Sequence, residues 1–291
     1  MDIVTDSGVD LNLDPPQLAA YRIHVVPLIV TLEGESYREG VDIRGQDFYP
    51  RLAEAEQLPT TSQPSAGDFA DVYRRLAQEE AEILSIHMSS GLSGTYNAAR
   101  AGAKLVPEAK VSHVDTKTLS AASGWQVEAA ARAGKAGWPM DRILALLRKL
   151  GEATDSIYTL NELKYLIHGG RISHMKGLIA SVLNIKPLIG VEKDNGTYVQ
   201  RGSARTFPGA VRGLVDVVAR QHGEGASLRV QVLHADNPEG AELLRAQVNA
   251  RFRCSWLPVR ALSLVLGAHT GPSMVGMAYG SASAFADIPS E

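Results

Sequence analysis

Small hydroxyl and glycine residues with the spacing of an anion-binding site lie in the stretch Ser89–Thr95. The apolar run before it, Ile83–Met88, predicts a buried strand, and the run of small residues after it predicts a helix. Glycine lets a backbone approach a ligand closely, and a helix start offers unpaired N–H groups and a partial positive charge. We therefore expect Ser93, the Gly94 N–H and Thr95 to bind a small anionic group. Ordinary capping of the helix by Ser93 explains the same residues equally well.

A second pair of hydroxyls, Thr61 and Ser62, precedes another predicted helix. Ser65 and Asp68 have the spacing of a capping box, and apolar residues follow at helical intervals. Because Ser65 can cap this helix, we expect Thr61 and Ser62 to lie in a loop with hydroxyls available to a ligand. A role of Ser62 as an ordinary polar loop residue remains equally open.

Two polar residues close to glycines, Arg171 and His269, complete the set of candidate ligand-binding side chains. The segment Leu178–Ile189 is strongly apolar. Hydroxyls, a cation and an apolar stretch are what an amphiphile with an anionic head and an apolar tail requires. Periodicity alone also fits Leu178–Ile189 as ordinary core.

Strand and helix patterns alternate up to about residue 153, which predicts an α/β fold with a mainly parallel sheet in the N-terminal half. The rhythm then changes, with a hairpin turn at Asn195-Gly196. We expect two α/β domains, 1–153 and 154–291.

Several individual elements are predicted from local patterns. Ile23–Leu32 and Trp256–Ala261 each have the composition of one strand, and Met175–Leu183 that of an apolar helix. Gly267–Pro272 is expected to separate the two closing strands, Trp256–Ala261 and Ser273–Tyr279, and the small polar residues of Ser281–Glu291 predict a loose tail.

Composition excludes several classes of function. The 291 residues carry 29 basic and 32 acidic side chains, a net charge of -3, so nothing favours binding to a nucleic acid backbone. The single cysteine, Cys254, excludes an internal disulfide and a multi-cysteine metal site. No apolar run approaches the roughly 18 residues that a membrane span needs, and no signal peptide is evident. We expect a cytoplasmic, monomeric protein with no metal and no cofactor.

Taken together, the motifs resemble those of the DegV family, a group of bacterial fatty-acid-binding proteins. The matching motifs occur in order along nearly the whole chain: Asp6-Ser7, Thr61–Ser65, Ser89–Tyr96, Gly169–Ser173 and His269–Pro272. The resemblance implies two α/β domains with a long acyl chain held between them. Ser273 stands where the family often has glycine.

The resemblance also implies a function. Such proteins hold a long-chain fatty acid while a separate ATP-dependent fatty acid kinase converts its carboxylate to an acyl phosphate. Thr61, Ser93 and the Gly94 N–H match the carboxylate-binding positions, and Arg171 and His269 match positions near the head group. Arg205 matches a basic position linked to the kinase or its product. The protein itself is then expected to be non-catalytic.

Two alternatives come from different classes. In one, Ser93 is the nucleophile and His269 the base of a hydrolase or transferase, although Gly91–Thr95 lacks the pattern of a nucleophile elbow. In the other, the protein is a lipid sensor without a kinase partner.

Overall fold

The computed structural model of the protein describes residues 1–79, 82–172, 175 and 185–290. Its first sheet is fully parallel, with strand order β2-β1-β6-β7. These strands are β1 (Asp2–Asp6), β2 (Ile23–Val26), β6 (Ile83–His87) and β7 (Val111–Asp115). β1 and β6 are buried along their whole length, as expected for the inner strands of a sheet covered on both faces. The predicted parallel sheet is confirmed.

A small antiparallel sheet lies beside it, with order β4-β3-β5. Its strands are β3 (Ile29–Leu32), β4 (Glu35–Arg38) and β5 (Thr60–Ser62). Two expectations were wrong here. The run Ile23–Leu32 is two strands in different sheets, because Pro27 has no N–H to continue a ladder. Thr61 and Ser62 lie in a short strand rather than in a loop.

The third sheet is mixed and contains the C-terminal strands, in the order β10-β9-β8-β14-β11-β12, with β13 beside β11. The strands are β8 (Thr154–Thr159), β9 (Lys186–Val191), β10 (Tyr198–Ala204), β11 (Ser227–His234), β12 (Arg253–Trp256), β13 (Arg260–Ala261) and β14 (Val275–Ser281). The single strand expected at Trp256–Ala261 is instead two short ones, separated by a segment containing Pro258.

Helices cover the sheets and join them. In chain order among the described residues they are α1 (Pro15–Ala20), α2 (Gly45–Glu54), α3 (Ala66–Ala77), α4 (Thr95–Lys104), α5 (Ser120–Lys135), α6 (Met140–Ala153), α7 (Lys164–His168), α8 (Phe207–His222), α9 (Pro238–Asn249) and α10 (Leu264–Thr270). The capping box of Ser65 and Asp68 is present at the start of α3. The helix expected at Met175–Leu183 lies outside the described residues, apart from Met175.

Helix α10 includes the first four residues of Gly267–Pro272, a segment expected only to separate the two closing strands. All seven of its residues are buried, and Ser263 caps it by accepting the Leu266 N–H at 3.4 Å. Helix α5 is buried on nearly every side, and its Trp125 donates a hydrogen bond to Gln231 Oε1 on β11 at 3.0 Å. It therefore packs between the first and third sheets. No helix in the described ranges is both long and apolar enough to span a bilayer.

The tail expected to be loose is partly packed. Ala282–Phe285 forms a 3₁₀ turn, and the Phe285 ring meets the edge of Trp125 with centroids 5.2 Å apart. Among the described residues, the strands of the first two sheets end by Asp115 and those of the third begin at Thr154. The division into domains 1–153 and 154–291 stays a prediction.

Candidate functional site

The turn between β6 and α4 holds three of the predicted site residues. Helix α4 begins at Thr95, and Gly94 precedes it without a side-chain cap. Ser93 Oγ accepts from the Thr95 N–H at 3.2 Å and shares a hydrogen bond with Thr95 Oγ1 at 2.8 Å. Thr95 is fully buried and Ser93 half-buried. Ser93 thus satisfies one helix N–H, as a capping residue would, while its hydroxyl stays partly accessible. The Gly94 N–H has no partner among the described residues.

Strand β5 decides where Thr61 and Ser62 point. Thr61 pairs with Val30 of β3, and directly opposed residues of a ladder point to one face. Val30 is fully buried, so Thr61 points inward; Ser62 is exposed and points the other way. The two hydroxyls, expected to be available together in a loop, therefore point to opposite faces of the strand.

Thr61 forms a hydrogen bond with His269, which is 208 residues further along the chain. Its Oγ1 lies 2.8 Å from His269 Nε2, in a hydrogen bond between β5 and α10. His269 is 6% exposed. Burial, followed by the nearby charges of Arg171 and His168, lowers the pKa of His269 to about 3. The imidazole is therefore neutral near pH 7.

The second ring nitrogen of His269 fixes its tautomer. Nδ1 is buried and has no hydrogen-bond partner in the described part of the chain. It packs on Gly169, where an added Cβ would lie only 2.1 Å from it. A buried unpaired acceptor is tolerated better than an unpaired N–H, so we assign the proton to Nε2. Nε2–H then donates to Thr61, and the hydroxyl hydrogen of Thr61 is left to donate to a ligand.

Gln63, which follows strand β5, packs on the turn that carries Ser93, and it was not among the residues predicted from the sequence. A Cβ on Gly94 would lie 3.0 Å from Gln63 Nε2, so this side chain packs directly on the turn that carries Ser93. Once β5 is recognised as a strand, the spacing of two residues from Thr61 would have indicated Gln63, because alternate residues of an extended chain share a face.

The two basic candidates lie in different settings. Arg171 is half-buried; its guanidinium donates to Gly169 O at 2.5 Å, beside His269. Arg205 is exposed between the end of β10 and the cap of α8, Thr206, and forms no hydrogen bond or ion pair with described residues.

Helix α10, which carries His269, is anchored at its start by Glu39. One oxygen of this carboxyl group accepts the Leu264 N–H, and the other accepts from Ser7 Oγ at 2.7 Å. Burial, with further contributions from Asp10 and Asp6, raises the pKa of Glu39 to about 8. No feature of the sequence around Glu39 marked it.

An apolar cavity of about 30 Å³ adjoins the residue after His269, Thr270. Its walls come from α5, α10 and the third sheet, and they include Leu119, Tyr158, Tyr198, Leu266, Met274 and Met277. This volume holds about two waters. Open clefts of about 420, 390 and 490 Å³ elsewhere contain none of the predicted site residues.

Two remaining expectations concern the surroundings of this cavity. Of the apolar stretch Leu178–Ile189, residues 178–184 lie outside the described part, whereas Leu188 and Ile189 are buried in β9. Ser273 Oγ accepts the Asn161 N–H at 2.9 Å, so this serine joins the segments before β14 and after β8.

The contacts do not form a serine–histidine catalytic pair. Ser93 Oγ hydrogen-bonds to Thr95, whereas His269 Nε2 hydrogen-bonds to Thr61. A histidine whose pKa lies near 3 is a weak base at neutral pH, and among the described residues no carboxylate bonds its Nδ1. The described residues also contain no group of three or more His, Cys, Asp or Glu arranged to hold a metal.

Comparison with known proteins gives one consistent family. A family model described as "Uncharacterised protein, DegV family" matches residues 1–281. A DegV domain-containing protein of Staphylococcus aureus is 35% identical over 275 residues, covering 94% of this chain and 96% of the relative. One of Deinococcus radiodurans is 35% identical over 276 residues, covering 95% and 94%.

Solved structures give the same relationship. A fatty-acid-binding DegV family protein of Thermus thermophilus superposes with a TM-score of 0.86 at 31% identity, covering 96% of this chain and 99% of that one. DegV of Bacillus subtilis, described as a fatty acid binding protein, superposes with a TM-score of 0.84 at 27% identity, covering 96% and 98%.

Proposed function

Because this chain belongs to the DegV family, we propose that it binds a long-chain fatty acid, with the carboxylate at Thr61, Ser93 and Gly94 and the tail in the apolar region beside α10. The observation that carries the proposal is the hydrogen bond between Thr61 and a buried, neutral His269 next to an apolar cavity. The fatty-acid-binding descriptions of the Thermus thermophilus and Bacillus subtilis proteins support the ligand class.

The donors at the site suit a carboxylate. A buried carboxylate is costly unless hydrogen-bonded, and hydrogen bonds to a charged group are stronger than neutral ones. Thr61 and Ser93 each offer a hydroxyl hydrogen, and Gly94 offers an N–H at the start of α4. His269 orients the Thr61 hydroxyl, and Arg171 supplies positive charge nearby. Ser62 receives no contact in this proposal because it points to the opposite face.

The tail supplies the hydrophobic part of the affinity. About 14 buried methylenes at roughly 0.8 kcal/mol each give about 11 kcal/mol, against an association cost of roughly 4 to 15 kcal/mol. An acyl chain is larger than the 30 Å³ cavity, so its lining side chains must move to admit the chain. Met274 and Met277 suit this movement, because methionine side chains are flexible.

We further propose that the protein is a non-catalytic, monomeric, cytoplasmic partner of a separate ATP-dependent fatty acid kinase. The bound carboxylate would be presented to that enzyme, which would form the acyl phosphate. The exposed Arg205 is our candidate for contact with the kinase. Among the described residues Ser93 has no basic partner, which favours this role over a serine hydrolase.

Native mass spectrometry tests the ligand class directly. We expect the purified protein to carry a stoichiometric extra mass that solvent extraction identifies as a fatty acid. A protein that is empty and also refuses added fatty acids would overturn the carrier function. Labelling of Ser93 by a fluorophosphonate probe would support the hydrolase instead, and failure of any fatty acid kinase to use the loaded protein would support the sensor.

A further inference from the structure

Ser89 organises the loop that carries Ser93. It is fully buried, and its backbone oxygen accepts the N–H groups of Leu92 and Ser93, each at 3.1 Å. Its hydroxyl accepts the Gly91 N–H at 3.1 Å and donates to Gly196 O at 2.8 Å. One side chain thus joins the loop to a turn more than 100 residues further along the chain.

The joined turn belongs to the β9–β10 hairpin of the third sheet, and it fits the loop tightly. A Cβ on Gly91 would lie 2.3 Å from Asn195 O, and a Cβ on Gly196 would lie 2.0 Å from Ser89 Oγ. Gly196 also has a φ of 67°, which favours glycine. Neither glycine can carry a side chain without separating the hairpin from the loop.

We propose that Ser89 is a positioning residue for carboxylate recognition: by docking the hairpin on the loop, it holds Ser93 and the Gly94 N–H in place. This rests on the proposed fatty acid binding. Tyr198 strengthens the argument, because it lies two residues beyond Gly196 and lines the apolar cavity. The hairpin therefore contacts the tail region and the head-group loop at once.

The test compares a fatty acid with its alcohol. Hexadecanoic acid and 1-hexadecanol share a tail, so the ratio of their Kd values measures recognition of the carboxylate. We expect Ser89→Ala to reduce the preference for the acid about tenfold, the effect of losing one hydrogen bond to the carboxylate, because the acid loses more affinity than the alcohol does. A merely structural role would weaken both ligands equally.

Ser90→Ala is the matched control. Its hydroxyl lies in the same loop but bonds Asp115 Oδ2 at 2.5 Å instead of the hairpin. We expect this variant to keep the preference for the acid. Equal preferences in Ser89→Ala and wild type, or an equal loss in both serine variants, would overturn the positioning role alone. A wild-type protein that does not prefer the acid would overturn the proposed function together with it.

Gly196→Ala tests the same contact from the hairpin side. We expect it to lose the acid preference as Ser89→Ala does, and to speed hydrogen exchange at the Gly91, Leu92 and Ser93 amides. Since Ser89→Ala removes the atom that the new Cβ would strike, the double variant should be no worse than Gly196→Ala. Unchanged exchange in the loop of the folded Gly196→Ala protein would refute the docking argument.

Discussion

Thr61 and Ser62 show how one backbone conformation selects between adjacent residues of the same chemistry. Both carry a hydroxyl, and in a loop either could reach a ligand. In β5 they point to opposite faces, and only Thr61 meets His269. The three-residue strand β5, by pairing with β3, therefore determines which of the two hydroxyls faces His269.

We predict that Thr61→Val, which keeps the side chain's shape but removes its hydroxyl, weakens fatty acid binding by roughly 10- to 100-fold. The reason is the loss of a hydrogen bond to a charged group. Ser62→Ala should leave the Kd unchanged because Ser62 faces outward. Isothermal titration with a long-chain fatty acid measures both, and equal effects of the two changes would contradict the assignment of Thr61.

The pKa of His269 predicts a dependence of stability on pH. It lies near 3 in the folded protein, below its usual value of 6.5, so between these values the unfolded chain binds the proton and the folded chain does not. Stability therefore rises with pH across this window, by at most about 1.4 kcal/mol per unit from this residue, and its full contribution is present above pH 6.5.

His269→Gln removes this contribution. We expect the variant's free energy of unfolding to fall less steeply than that of wild type between pH 6 and pH 4. Urea denaturation at several pH values checks this. Parallel pH profiles for the two proteins would show that His269 titrates normally in the folded state.

At the scale of elements, the parallel sheet and most of its helices could be predicted because their apolar runs and helical patterns are continuous. The failures have physical causes. Pro27 and Pro258 interrupt runs whose composition alone predicts a single strand. Helix α10 was missed because glycine and proline in Gly267–Pro272 disfavour a helix, whereas burial of all seven helical residues stabilises one.

Among the site residues too, those within a clear local pattern could be predicted and the others could not. Ser93 and Gly94 could be located because the strand-to-helix turn is visible in the sequence. Gln63 was missed because β5, which sets the face of Thr61 and Gln63, was predicted as a loop, and Glu39 was missed because its role depends on Leu264, far along the chain.

Glu39 predicts how the anchor of α10 responds to pH. Its pKa is near 8 when folded and about 4.5 ordinarily, so folding favours the protonated form and stability falls as pH rises from 4.5 to 8. Glutamine cannot ionise, so the Glu39→Gln variant should not lose this stability as pH rises. We therefore expect the free energy of unfolding of the variant minus that of wild type to be larger at pH 8 than at pH 5. Thermal unfolding at both values measures this. A difference in stability that does not change with pH would exclude the raised pKa of Glu39. Asp10→Asn makes the same test for the neighbouring Asp10, because burial raises the pKa of Asp10 to about 7.

At the scale of the whole molecule, helix α5 joins the first sheet to the third, and the C-terminal turn packs against this helix through Phe285. The Arg229 guanidinium lies 5.1 Å from the Trp125 ring and 5.0 Å from the Phe285 ring, so it contacts both. Trp125 in turn bonds Gln231. The C-terminal turn thus packs where helix α5 meets strand β11, two elements far apart in sequence.

We predict that Phe285→Ala lowers the free energy of unfolding by about 3 kcal/mol, the usual effect of truncating a buried phenylalanine. Ser283→Ala, an exposed change in the same turn, should have little effect. Tryptophan fluorescence during denaturation follows both. Full stability of Phe285→Ala would mean that the tail contributes no packing energy.

The contact between Gly169 and His269 has an evolutionary consequence. Gly169 has a φ of -69°, which any residue adopts, so the imidazole beside it, and not the backbone conformation, excludes a side chain. Its neighbour Gly170 would meet no described residue with an added Cβ but has a φ of 73°, a conformation that asparagine can share. In a library selected for ligand binding, we expect position 170 to accept asparagine. Position 169 should change only in clones where residue 269 has also become smaller, so the two sites are expected to covary.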